Sequence, residues 1–251
     1  MSSDGGRIVP GEGVPGRIAA GRIVPGRIVP DLILLAGGRG SRLGGAEKPA
    51  VTVAGRTLLS RALDARALAA RTVVVGPESS RPAAGTAAAE VLWALEDPPL
   101  GGPVAGVAAG LAALERDAPA DPGALTRAAD WVLLLACDLP WAADAARILL
   151  AAAEADAGVR GALDGIHLVD ADGRDQWLAG LYRASALGAA VRSAGTGVRG
   201  ARMRDLLAGL TLRGIRDDSN AGRDVDTWQD VAATEALLGR PTNPPTPASG
   251  P

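Results

Sequence analysis

Between Leu34 and Pro49 the chain sets an apolar stretch, Leu34-Leu35-Ala36, against glycines at positions 37, 38, 40, 44 and 45, with Arg42 and Lys48 close behind. Such a turn grips phosphate. Glycine lets backbone N–H groups close on phosphate oxygens where a Cβ would intrude, and two cations offset the charge of the ligand. These residue types predict a nucleoside triphosphate site. Two commoner glycine-rich motifs do not fit. A Walker loop needs Gly-Lys followed by Ser or Thr, whereas Lys48 follows Glu47 and precedes Pro49. The dinucleotide pattern Gly-x-Gly-x-x-Gly, started at Gly38 and Gly40, meets Leu43 where it needs its last glycine.

Two aspartate segments could serve the same ligand. Ala136-Cys137-Asp138-Leu139-Pro140 follows the apolar run Trp131 to Leu135, and the proline halts that strand just past Asp138, leaving its carboxylate at the sheet's edge. There it can hold Mg²⁺, which takes one or two carboxylates together with phosphate oxygens, or it can cap the next helix. The residues alone leave both readings open. In Asp224-Val225-Asp226-Thr227-Trp228-Gln229-Asp230 either Asp226 or Thr227 can cap the closing helix, a role compatible with metal binding.

Positioning these residues requires alternating strands and helices. Leu32 to Ala36 reads as a buried strand, followed by a helix over Thr57 to Ala70 with apolar residues at helical spacing. Strands at Thr72 to Val75 and Val91 to Leu95 precede a helix over Val104 to Leu114; the strand Trp131 to Ala136 precedes a helix over Trp141 to Ala155. Strands at Ile166 to Val169 and Leu178 to Tyr182 are joined through Asp170-Ala171-Asp172-Gly173, a hairpin-forming turn. Helices near Ser185 to Val191 and Met203 to Leu207, a strand near Leu210 to Ile215, and a helix over Thr227 to Leu238 complete the pattern. Alternation of this kind predicts an α/β fold, a three-layer α/β/α sandwich around a mostly parallel sheet.

At 251 residues with 47% hydrophobic content the chain can bury one full core, expected over residues 31–240. Residues 1–30 are expected to be a disordered extension, since the unit Gly-Arg-Ile-Val-Pro recurs through them, and regular proline and glycine forbid helix and central strand alike. An interaction arm is the functional alternative. Residues 241–251, rich in proline, are expected to be a disordered tail. With 2% aromatic residues and no phenylalanine the core should be aliphatic. A net charge of −2 argues against nucleic-acid binding, and the apolar runs are too short to span a membrane. The single cysteine, Cys137, permits no intramolecular disulfide and fits the cytoplasm; it reads as a small core residue, and His167 as a packed residue without a partner.

The pattern Leu-Ala-Gly-Gly-x-x-x-Arg-Leu-Gly-Gly-x-x-Lys-Pro, the Glu96-Asp97 segment ending in Gly102-Pro103-Val104-Ala105-Gly106, Cys137-Asp138-Leu139-Pro140 and Asp224-Val225-Asp226-Thr227 occur in the order found in nucleotidyltransferases. Together they resemble the molybdenum cofactor guanylyltransferases over about residues 31–239. The fourth motif departs from that family's usual form: aspartates stand where the family often has asparagines, and Trp228 stands for its proline. The resemblance implies a nucleotide-diphosphosugar-transferase-like fold and transfer of GMP from GTP to molybdopterin cofactor, with Mg²⁺ as cofactor and transient contact with proteins that deliver or receive the pterin. It further implies Leu35, Ala36, Gly37, Gly38, Gly76 and Asp97 at the nucleoside, Arg42, Lys48 and Asp138 as catalytic groups, and Asp138 with Asp226, slightly ahead of Asp224, at the metal. Gly173 to Tyr182 matches the segment near the acceptor, and Arg174, Arg199, Arg202 and Arg204 are candidate contacts to its phosphate. Transfer from CTP, another phosphorylated acceptor such as a sugar phosphate or phospholactate, and a catalytically silent nucleotide-binding module are the alternatives.

Overall fold

The computed structural model describes residues 27–37, 43, 45–97, 99–118, 129–156 and 163–239. Gly38 and Arg42, most of the repeats and the proline-rich tail lie outside them. Four largely apolar strands, with β5 at the edge, make one half of a seven-stranded sheet of order β5-β4-β1-β6-β8-β7-β9. These are β1 (Asp31–Leu35), β4 (Thr72–Val75), β5 (Leu92–Ala94) and β6 (Trp131–Ala136), all mutually parallel. β8 (Asp175–Arg183) runs against both β6 and β7 (Gly165–Val169), and β9 (Leu212–Arg216) lies parallel to β7. Two short strands, β2 (Thr52–Val53) and β3 (Arg56–Thr57), form a separate hairpin.

Side chains alternate across the central strands, and both faces are apolar, so the sheet is covered twice. Leu32, Leu34, Val74, Leu133 and Leu135 face one layer, which includes α1 (Leu58–Ala62) and α3 (Ala142–Asp156). Ile33, Val73, Val75 and Leu134 face the other, formed by α2 (Pro103–Arg116), α4 (Ala184–Ala194) and α5 (Met203–Leu207). The three-layer expectation is thereby met. Gly110 lets α2 sit close on β1, because a Cβ there would come within 2.8 Å of Ile33 Cγ2.

Several local expectations change. The helix expected over Thr57 to Ala70 is α-helical only in α1, capped by the Thr57 hydroxyl accepting from Ser60 N–H, and tightens to a 3-10 helix over Leu63–Leu68. The Ala54-Gly55 turn, with φ of 46° and 75°, closes the unexpected β2–β3 hairpin. Residues Glu78–Ala89 form 3-10 turns interrupted at Gly85. The core is not purely aliphatic, since Tyr182 is fully buried. Contacts with the fold also reach back before Asp31: Pro30 O accepts from Ala70 N–H at 2.8 Å, and Ile28 N–H donates to Glu154 Oε1 at 3.0 Å. Among the described residues no helix is long and apolar enough to cross a membrane.

Candidate active site

In an open parallel sheet a cleft forms where successive crossovers diverge, at the carboxyl ends of the strands. Here that point lies between β1, whose crossover leads to β4, and β6 on its other side. Gly37 and Asp138 each stand one residue beyond the residue that follows the strand end, after Ala36 and Cys137. The backbone locks this juxtaposition, since Cys137 N–H donates to Leu35 O at 3.0 Å.

Asp224 and Asp226 come from the segment that leads into α6 (Trp228–Leu238). Val225 between them is fully buried among Leu43, Val51, Val53 and Leu58, and its N–H donates to Asp138 O at 3.0 Å. With Val225 pinned in this way, the aspartates on either side of it both reach the Asp138 carboxylate. Thr227 and Asp230 form a capping box at the start of α6, so capping falls to Thr227 rather than Asp226. Oxygens of Asp138, Asp224 and Asp226 all lie within 4.8 Å of one another.

Lys48 opens a 3-10 turn just before the β2–β3 hairpin and reaches into this cluster, donating to Asp138 Oδ2 at 2.7 Å and to Asp226 Oδ1. Burial alone would lower the ammonium's pKa, but attraction to Asp138 and hydrogen bonds to both aspartates outweigh it and raise it. Lys48 therefore stays charged. Partial desolvation, then the charges of Asp138 and Asp226, hold the Asp224 carboxyl above its ordinary value against the pull of Lys48. At about 5 Å two like charges near a protein surface repel by roughly 3 kcal/mol. One ammonium among three carboxylates leaves an excess of negative charge. Asp138 Oδ1 is buried without a hydrogen-bond partner. An oxygen-only donor set with a buried unpartnered oxygen fits a hard divalent cation such as Mg²⁺.

Two cavities adjoin this cluster. One, of about 340 Å³, is lined by Leu35, Gly37, Glu96, Gly102, Gly106 and Asp138 among others. The second, of about 500 Å³, is lined by Asp175, Gln176, Trp177, Arg202 and Asp224, and shares with the first the wall made by Gly102, Pro103, Ala136, Asp138 and Leu178. The first turn of the fourteen-residue helix α2 sits on that shared wall, with its unpaired N–H groups and positive dipole end.

The sequence-predicted residues fall into three groups. Leu35, Gly37, Lys48, Asp138 and Asp226 converge here, and so does Asp224. Neither Gly76 nor Asp97 is among the described residues lining either cavity. Gly76 instead permits close strand approach, since a Cβ there would meet Ala36 O at 2.8 Å, and Ala36 itself is buried. Asp97 is exposed while its neighbour Glu96 lines the first cavity. Of the four arginines Arg202 alone lines either of these two cavities; Arg174 pairs with Asp172, Arg204 with Asp205, and Arg199 is exposed.

Cys137 is buried, and burial together with the nearby Asp138 charge pushes its thiol up, which keeps it neutral. His167 does have a partner, contrary to expectation: its Nε2 lies 2.8 Å from Asp175 Oδ1, and its ring packs on Trp177 with centroids 4.3 Å apart. No pattern in the sequence pairs these residues, because a β-bulge between His167 and Leu168 sets their register.

Solved structures with the same fold include molybdopterin-guanine dinucleotide biosynthesis protein A of Archaeoglobus fulgidus, 19% identical at a TM-score of 0.59, covering 83% of this chain and 98% of that one. The 4-diphosphocytidyl-2C-methyl-D-erythritol synthase of Anaerococcus prevotii is 12% identical at 0.57, covering 86% and 100%. The 2-C-methyl-D-erythritol 4-phosphate cytidylyltransferase of Thermus thermophilus is 18% identical at 0.54, covering 82% and 97%. At such identities the likeness establishes the α/β fold alone. No curated protein matches the chain significantly. The profile of the MobA-like NTP transferase domain, however, matches residues 32–214, from β1 into β9, and on that match the chain belongs to the MobA-like nucleotidyltransferase family.

Proposed function

We propose that the chain transfers GMP from GTP to the terminal phosphate of molybdopterin cofactor, releasing pyrophosphate and the guanine dinucleotide form. One observation carries this reading: Asp138 lines both cavities. Direct transfer without a covalent enzyme intermediate needs two substrates side by side, their reacting phosphates meeting at one point. The wall shared by the cavities supplies such a point. Glycines 37, 102 and 106 along the smaller cavity would let a flat base approach the backbone. Trp177 in the larger one would offer a stacking face, and Arg202 a phosphate partner.

Asp138, Asp224 and Asp226 would hold Mg²⁺, which when bound supplies charge neutralisation at the α-phosphate. Lys48, kept protonated by the same carboxylates, adds positive charge beside the departing pyrophosphate, and the start of α2 adds aligned N–H groups. Arg42 joins this set by its place in the glycine-rich motif. An oxygen of the acceptor phosphate attacks the α-phosphorus in line as the bond to pyrophosphate breaks. Contact with proteins that supply or receive the pterin, and a cytoplasmic setting, belong to the same proposal.

The fold shared with two enzymes whose names specify cytidylyl transfer favours a second reading, CTP with another phosphorylated acceptor. Pyrophosphate release from GTP and CTP, each with Mg²⁺ and either molybdopterin or a sugar phosphate, separates the two. Release from GTP with molybdopterin alone is the expected result. Release from CTP alone would support the second reading, and no release with Mg²⁺-independent GTP binding would support a silent binding module.

A further inference from the structure

Lys48 bridges two of the three clustered carboxylates, donating to Asp138 Oδ2 at 2.7 Å and to Asp226 Oδ1. Its backbone has little freedom to withdraw. Ala50 N–H donates to Glu47 O at 2.9 Å and Val51 N–H to Lys48 O at 3.1 Å, Pro49 is buried, and Ser79 Oγ donates to Glu47 Oε1 at 3.0 Å. Val51 is buried in the same small cluster as Val225, so Lys48 and the segment carrying Asp224 and Asp226 rest on one support. Movement is left to the four-carbon stem of the lysine, which carries a compact charge with rotatable donors.

An ammonium in that position and a divalent ion want the same lone pairs. Mg²⁺ takes carboxylate oxygens at about 2.1 Å, so an ion shared by Asp138 and Asp226 competes with the ammonium at the shortest range. Asp138 Oδ1 has no hydrogen-bond partner and gives an arriving ion a foothold, but there the ion faces the Lys48 charge closely, and like charges repel. A triphosphate changes the balance. Its oxygens attract the ammonium, and once the ammonium turns to them the oxygens of both aspartates are released together. We infer that Lys48 couples the metal to the triphosphate: its ammonium holds the place of a cation between Asp138 and Asp226, and the triphosphate draws it away before the metal binds tightly. This rests on the triphosphate reading of the site and adds an order of events to it. By linkage the effect is reciprocal, metal and nucleotide each strengthening the other by the same factor. A lysine that met only phosphate would leave the affinity for metal alone unchanged.

Mn²⁺ binding to the full chain, followed by the electron paramagnetic resonance signal of the free ion with and without GTP and with no acceptor present, tests the coupling. Wild type is compared with Lys48→Met, Lys48→Gln and Arg202→Met, with melting curves to confirm folding. Both Lys48 variants should bind Mn²⁺ alone on the order of tenfold or more tighter than wild type, the gain expected when a competitor held by charge-assisted hydrogen bonds is removed. The factor by which GTP tightens Mn²⁺ should shrink by about the same amount in them. Arg202 lines a cavity with Asp138 and Asp224, and Arg202→Met, which removes a nearby charge and leaves the Lys48 bridge intact, should change Mn²⁺ affinity by about threefold or less. Unchanged or weaker Mn²⁺ binding in both Lys48 variants would overturn the inference. Equal tightening in Arg202→Met would overturn it too, reducing the effect to a diffuse field. Failure of wild type to bind GTP with or without Mn²⁺ would overturn the triphosphate reading, and the coupling with it, whatever Lys48→Met does to Mn²⁺ alone.

Discussion

The four parallel strands β5-β4-β1-β6 and the flank β8-β7-β9 share one hydrogen-bonded sheet and both bury aliphatic side chains, Ile166, Leu168 and Leu181 in the flank among them, but the flank adds polar contacts beside a bulge. In the first half Leu32, Ile33, Leu34, Val73, Val74, Leu133 and Leu134 are fully buried, and α2 closes on them through Gly110. In the second, β8 runs antiparallel, and the Tyr182 ring fills space that a Cβ on Gly165 or Gly180 would occupy while its hydroxyl donates to Trp177 O at 2.8 Å. His167 pairs with Asp175 beside a bulge. Non-directional burial thus fixes the strand ends carrying Leu35, Gly37 and Asp138, whereas directional polar contacts shape the rim of the larger cavity. Each half presents one cavity, and Asp138 stands where they meet.

If the seam matters most, Asp138→Ala should have the largest effect. Pyrophosphate release should fall by on the order of 10³-fold, with a melting temperature close to wild type, because a carboxylate that would hold the metal beside the reacting phosphate is lost while the core is untouched. Retention of more than about a tenth of wild-type activity would break the picture of a shared reaction point. Next in size, Gly110→Val forces a branched side chain against Ile33 and should cost about 2–3 kcal/mol in urea unfolding. That penalty tests whether packing holds the parallel half. Smallest is Asp175→Asn in the other half. It weakens the contact to His167 by about 1 kcal/mol and should raise the acceptor KM with GTP affinity unchanged. An equal loss of GTP affinity would show that the two cavities are not functionally separate.

The two halves also differ in how far they could be read from residues. Thr72–Val75 and Trp131–Ala136 coincide with the observed β4 and β6, because a continuous aliphatic run bounded by polar residues has few other solutions. The strand ends then bring Gly37 and Asp138 to the smaller cavity. The resemblance favours Asp226 slightly over Asp224, whereas both reach Asp138 on either side of Val225, which is buried against Leu43 and Val53 in packing that is tertiary. The two-residue strands of the β2–β3 hairpin leave too short a pattern to detect. His167 needed the bulged β7–β8 register before its partner became visible.

The most direct test is a crystal structure of the protein with GTP and Mg²⁺. A cation bound by Asp138 and at least one of Asp224 and Asp226, with the α-phosphate beside it and the base in the cavity next to Glu96, is the predicted result. A nucleotide bound away from the Asp138 wall, or a base lodged in the cavity beside Trp177, would contradict it.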